Sequence, residues 1–208
     1  MVIKDSSKAL CCVLIAGTFW SFGALIVRYM VDPQNYRWQY LCFRGLTVAG
    51  ILCIYLMVKD RNRFVYNFQK IGISGVIGAV GLVCAFVGFI WSITLTTAAN
   101  TLFLFATTPF IAAFMGILIL KERIRPITWA AMTMALIGIS FMVIEGLESG
   151  SVLGTITGLG SACGFAIFSI SLRFRKEAPQ FANIALAGIL CAILTGCILY
   201  IQSDSVLM

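Results

Sequence analysis

From Ile71 to Leu120 the chain runs for fifty residues without one Asp, Glu, Lys or Arg. A domain that faces water cannot hold such a stretch, because its surface must carry polar and charged side chains. A bilayer favours it. The hydrocarbon core is about 30 Å thick, and about 20 apolar residues cross it as a helix. Fifty residues are therefore two crossings joined by a turn. The polar run Ser92-Ile93-Thr94-Leu95-Thr96-Thr97, followed by Asn100, marks that turn. Asn100 or a neighbouring Thr can cap the second helix.

The rest of the 208-residue chain repeats this character, with 61% hydrophobic and 11% charged residues. Lipid offers the backbone no hydrogen-bond partners, so long apolar runs are helices. Barrel strands would be about ten residues long and alternating in character, and these runs are neither. The apolar runs predict seven spans: Ala9–Met30, Trp38–Val58, Ile71–Ile93, Ala98–Leu120, Ile127–Ile144, Val152–Leu172 and Phe181–Ile201. The fold class is thus all-α integral membrane, in a lipid bilayer. The first run is too long for the apolar core of a cleaved signal and reads as a transmembrane helix.

Charge sets the orientation. With a cytoplasmic N-terminus, twelve of the fifteen basic residues fall in cytoplasmic segments: Lys4 and Lys8, then Lys59 to Lys70, Lys121 to Arg125, and Arg173 to Lys176. Arg28 and Arg37 lie outside, with Asp32, Glu145, Glu148 and Asp204. This is the positive-inside pattern and predicts a multi-pass protein of the cell (inner) membrane. The net charge of +7 reads as contact with anionic headgroups, and no nucleic-acid partner is expected. The eight cysteines show no metal-ligand spacing and the chain has no histidine, so neither a metal nor a cofactor is expected. An enzyme would need acid, base or nucleophile groups gathered at one depth, and these spans offer none.

An offset of 145 residues lays the first span over the sixth and the second over the seventh. Trp20 then falls on Phe165, Arg28 on Arg173, and Tyr55 on Tyr200. A first unit of five helices is odd in number, so the second unit starts from the opposite face of the membrane. That is an inverted repeat, a frequent plan in secondary transporters. The division expected is a complete five-helix unit over 1–146 and an incomplete unit of two helices over 147–208. By the same offset a complete second unit would run to about residue 290.

Several stretches carry a family resemblance. They are Phe19-Trp20-Ser21-Phe22-Gly23 and Phe43-Arg44, then the long run from Ala98-Ala99-Asn100-Thr101 through Thr107-Thr108-Pro109-Phe110 to Lys121-Glu122-Arg123, and Gly138-Ile139-Ser140. In these the chain resembles the drug/metabolite transporter superfamily, specifically its EamA-type branch. The resemblance implies a ten-helix, two-repeat transporter of small molecules, of which this sequence holds seven helices. It is informative about fold and uninformative about substrate.

The residues themselves nominate a pathway. Arg44 lies within the second span, where a charge is costly unless it faces a cavity or a partner. It can take a carboxylate or phosphate of a substrate, or it can snorkel towards the interface. Trp20 and Phe165, equivalent in the repeat, can flank a substrate or simply pack. Pro109 frees the carbonyl of Phe105, and Thr107 and Thr108 can re-satisfy it or line a cavity. Small residues along the third span, such as Ser74, Gly75, Gly78 and Ala79, let another helix approach closely. Lys121-Glu122-Arg123 with Arg125 anchors a helix end, or supplies a salt bridge that gates the cytoplasmic side. No carboxylate lies inside any span, which disfavours a carrier of cations. The function expected is a permease or exporter of small organic metabolites, amino-acid-like or otherwise anionic, working by alternating access. The alternative is a membrane protein on the transporter fold that does not transport alone, as a partner subunit or within a homodimer.

Overall fold

The computed structural model describes residues 2–59, 61, 64–123, 125–143, 151–174 and 179–206. The boundary expected at 146/147, and the charges Arg63, Glu145, Glu148, Arg175 and Lys176, lie outside the described residues. So do the side chains of Lys4, Lys8 and Asp204.

Among the described residues all regular structure is helical. The elements are α1 (Val2–Arg28), α2 (Arg37–Lys59), α3 (Phe64–Gln69), α4 (Gly72–Leu95), α5 (Ala98–Ala106), α6 (Thr108–Leu120), α7 (Pro126–Val143), α8 (Val152–Phe174) and α9 (Gln180–Val206). Each predicted span has a counterpart. The fourth is broken into α5 and α6 at Thr107. The turn before it lies where the polar run placed it. Thr97 caps α5 by accepting the amide of Asn100 at 3.1 Å, and Asn100 Nδ2 donates to Thr96 Oγ1 at 3.0 Å. Ser92 and Thr101 share a buried hydroxyl bond of 3.0 Å across the hairpin. The short α3 was not anticipated. Its Phe64 and Phe68 pack on Leu56, Ile71 and Ala182, and Gly72 adopts φ 65° to turn the chain from α3 into α4.

Six helices are long and apolar enough to cross a membrane; the apolar part of α7, Pro126–Gly138, is shorter. Packing directions decide whether α7 crosses. Residues near 81, 85 and 88 of α4 meet residues near 164, 161 and 157 of α8, so the two helices run antiparallel. Leu104 of α5 meets Gly158, and Gly116 of α6 lies near Ile170, so α5 and α6 together run parallel to α8. Opposite travel of α4 and α8 requires an even number of crossings between them. One is α5 with α6, and the other must be α7. Among the described residues the packing directions therefore make α7 a seventh pass beside the six long spans.

The centre of the bundle is α4, more than half of whose spanning stretch is buried. Its seat against α8 depends on missing side chains. A Cβ on Gly81 would stand 2.8 Å from the carbonyl oxygen of Gly164, and one on Gly164 would stand 2.5 Å from that of Gly81. Gly88 has the same relation to the Thr157 carbonyl, at 2.6 Å. Ser161 Oγ donates to the Ala85 carbonyl at 2.8 Å across this seam. Close backbone approach of this kind is how helices adhere where lipid removes the hydrophobic drive.

A second seam joins α2 to α9. A Cβ on Gly45 would meet the amide nitrogen of Ala192 and the carbonyl of Gly188 at 2.9 Å, and one on Gly188 would meet Ala49 N and Gly45 O at 3.0 Å. The contacts are reciprocal, as they would be about a local two-fold axis that carries Gly45 onto Gly188 and Ala49 onto Ala192. Cys191 Sγ reaches the Leu41 carbonyl and Cys42 Sγ the Ala192 carbonyl, each at 3.8 Å. The register at this crossing is 143 residues, two fewer than the offset that pairs Trp20 with Phe165.

Two outcomes are expected. Gly81→Val, which drives a branched side chain into the α8 backbone, should destabilise the detergent-solubilised protein by about 1–3 kcal/mol or more, read as a lower melting temperature. Gly50→Ala, where nothing lies within 4 Å, should leave it unchanged. In a cysteine-free background, single cysteines at Arg61 and Gln180 should react with an impermeant thiol reagent from one side, and cysteines at Gln34 and Thr97 from the other. Labelling of positions 61 and 180 from opposite sides would remove α7 from the crossings.

Candidate functional site

Four helices bring aromatic rings to one place. Trp20 of α1 meets Phe165 of α8 edge-on with centroids 5.6 Å apart, and Phe105 of α5 lies 6.1 Å from Trp20 and 5.4 Å from Phe165. Phe89 of α4 adds a further edge contact to Phe105 at 5.7 Å. These spacings are those of offset and edge-to-face pairs. The two aromatics matched by the 145-residue offset are thus in direct contact.

The rings wall a cavity of about 690 Å³ between α1 and the body formed by α4, α5 and α8. Gly17, Ser21 and Leu25 line its α1 side, Leu102 its α5 side, and Arg28 and Tyr29 stand at the end away from the N-terminus. A volume of this size suits a small organic molecule. A second cavity of about 350 Å³ lies on the other side of Trp20 and Phe89, against Tyr40 and Arg44 of α2. The two cavities share Trp20, Ala24 and Phe89, so the indole and the phenyl ring form the partition between them.

Arg44 is half-buried, and its guanidinium lies over the ring of Phe86 at 4.2 Å. Among the described residues no carboxylate pairs with it; the ion pair present there is Arg173 with Glu122. Arg44 also lines the smaller cavity, and a guanidinium stacked on a ring keeps its N–H donors at its edge. An unneutralised cation in a helix that crosses the bilayer is costly. Here it stands beside a cavity of about 350 Å³.

The threonine–proline segment acts one step removed. Thr108 Oγ1 donates to the carbonyl of Phe105, the group that Pro109 leaves without an amide donor, and Thr107 Oγ1 donates to that of Leu104 at 2.6 Å. Both hydroxyls are spent on the helix break, which closes the backbone deficit left by the proline. Neither lines the aromatic cavity. The break holds Phe105, whose ring does. Pro109 instead faces a third cavity, near Arg173 at the end of the bundle that carries the N-terminus. The structure therefore gathers Trp20 and Phe165, sets Arg44 behind the same partition, and leaves Thr107, Thr108 and Pro109 outside it. The sequence reading missed the side chains of Phe89 and Phe105. The pointer to Phe105 in the sequence is the proline four residues on, which frees its carbonyl.

The opposite end of the bundle is tied by α2 and α4. Arg37 lies over the Trp91 ring at 4.1 Å, Trp38 packs edge-on against Trp91 at 5.5 Å, and Gln34 Nε2 donates to the Thr94 carbonyl at 3.4 Å.

Comparison with curated proteins gives no match. The family model described as the EamA-like transporter family matches residues 7–144, which takes in α1 from residue 7 onward, every helix from α2 to α7, Trp20, Arg44 and the aromatic wall up to Phe105. That is about two thirds of the chain, and the chain belongs to this family of multi-pass membrane transporters.

Proposed function

We propose that the protein is a permease or exporter of small organic metabolites that carry an anionic group, amino acids and related compounds among them. The carrying observation is Arg44, a guanidinium without a carboxylate partner among the described residues, stacked on Phe86 and lining a cavity that Trp20 and Phe89 divide from the larger one. A carboxylate or phosphate would take the free donor edge of Arg44, and the apolar part of the substrate would lie against Trp20, Phe105 and Phe165. Thr107, Thr108 and Pro109 would hold the break that aims Phe105.

Alternating access between two inverted units is the mechanism that fits this reading, with the N-terminus cytoplasmic in the cell (inner) membrane. The units would be 1–146 and 147–208. The direct contact of Trp20 with Phe165 supports the reading, because equivalent residues of a two-fold pair meet only near the axis. The reciprocal contacts at Gly45 and Gly188 support it in the same way. Small rotations about that axis would move Trp20 and Phe165 against each other and change which cavity is open.

A second reading has the chain as a subunit that needs partner helices, from another protein or from a second copy in a homodimer. One observation favours it. Only 6% of the α1 span is buried, so the helix that carries Trp20 is the least supported wall of the cavity.

The test begins with metabolite profiles of cells expressing the wild-type chain and of vector controls. The wild type should shift the distribution of at least one metabolite bearing a carboxylate or phosphate. At matched membrane abundance, Arg44→Ala should weaken apparent affinity about ten- to a hundredfold, the worth of a charged hydrogen bond. Arg44→Lys should retain part of the activity. Wild-type transport by Arg44→Ala would end the binding role. Thr108→Val should lower transport by mobilising Phe105 while leaving substrate charge preference intact. Purified protein that is folded, monomeric and inactive in liposomes would favour the second reading.

A further inference from the structure

The third cavity has a chemistry of its own. It measures about 400 Å³ and opens between the ends of α6, α7 and α8. Three guanidiniums line it, Arg123, Arg125 and Arg173, against the single carboxylate of Glu122. Glu122 is paired with Arg173, so the rim keeps an excess of two positive charges.

The local fold puts them there. Lys121 ends α6 in the left-handed region, at φ 53° and ψ 34°. The Gly116 carbonyl accepts the amides of both Lys121 and Glu122, the latter at 3.2 Å. This reversal turns Glu122 towards Arg173 at the end of α8. Pro126 then opens α7, and the Thr128 side chain borders the cavity.

Below the rim the wall is apolar. Pro109, Ala112 and Ala113 of α6 and Met132 of α7 form it. At 1.5 Å per residue, Ala113 and Met132 stand roughly 10 Å deeper in the membrane than the helix ends. A soluble anion needs the rim and has no use for such a wall. A phospholipid needs both, since its phosphodiester lies at the interface and its acyl chain runs inward. Basic pockets between transmembrane helices are suited to anionic headgroups.

We propose that this cavity is a binding site for an anionic phospholipid. The phosphodiester is held by Arg123 and Arg125, with Arg173 shared between the lipid and Glu122, and the acyl chain lies along Ala113 and Met132. The site is separate from the Arg44 cavity and does not depend on what the protein transports.

The test is native mass spectrometry of the purified full chain, titrated with phosphatidylglycerol and with phosphatidylcholine. Phosphatidylglycerol should bind at least about tenfold more tightly. The double variant Arg123→Ala/Arg125→Ala should lose most of that preference, and Glu122→Gln, which frees Arg173, should strengthen it. Removal of equal charge elsewhere, in Arg61→Ala/Lys70→Ala, should leave it unchanged. Equal loss in that control would show diffuse surface charge and overturn the site. Displacement of the lipid by millimolar inorganic phosphate, with the same dependence on Arg123 and Arg125, would assign the cavity to a soluble anion and overturn the lipid reading. If the double variant does not fold, the Glu122→Gln arm decides: unchanged or weaker binding overturns the proposal.

Discussion

The architecture rests on how closely α4 can approach α8. In lipid, burying an apolar face gains little, because the surrounding chains are as apolar as the helix. What remains is dispersion between surfaces that fit and polar contacts that lipid cannot replace. Gly81 and Gly164 bring the two backbones together, and Ser161 uses the approach to reach the Ala85 carbonyl. Once α8 is fixed there, its parallel neighbours α5 and α6 are fixed too, and Phe165 is held facing Phe105 and Trp20. The aromatic wall is therefore a consequence of a glycine seam one helix face away.

The charge at Arg44 is tolerated by a related economy. The residue follows Tyr40 by one turn of α2 and precedes Gly45, which sits hard against the backbone of α9. The Gly45 contact holds that stretch of α2 deep in the bundle and so keeps Arg44 away from lipid. Phe86 then offers its ring face to the cation, a contact worth about 0.5–2 kcal/mol. That offsets part of the cost of an unpaired charge and leaves the rest to be met by water or by an anion in the cavity. A carboxylate on a neighbouring helix would neutralise Arg44, and none pairs with it among the described residues.

Much of the fold was readable because the membrane simplifies it. Charge-free length gave the spans, the polar run gave the turn at Thr96 and Thr97, and Pro109 gave the break between α5 and α6. The contact of Trp20 with Phe165 was readable only through the repeat, as two matched positions rather than as touching rings. What the sequence could not give is which face each helix presents. Gly75, Gly78 and Gly81 look equally useful for packing in the sequence, yet Gly75 lies against its own Ile71 side chain while Gly78 meets Ser171 of α8 and Gly81 the α8 backbone. Helices that are apolar all round carry no stripe to separate the two cases. The short α3 escaped for the converse reason: six residues between basic segments show no periodicity long enough to read.

Helix α1 brings these points to one argument. It supplies Trp20, which lines both cavities, yet it is the least buried of the helices that wall them. The repeat makes α8 its counterpart, and there the matching positions Ala162, Ala166 and Ile170 are buried. On α1 those positions are Gly17, Ser21 and Leu25, and they line open grooves. The face matched by the 145-residue offset is thus covered on α8 and bare on α1. Under the alternating access proposed above, a wall that moves would be loosely held, whereas a wall that seals would need neighbours. The face through Gly17, Ser21 and Leu25 therefore sets how tightly Trp20 can close on Phe105 and Phe165, and any helix that packed there would control the partition directly.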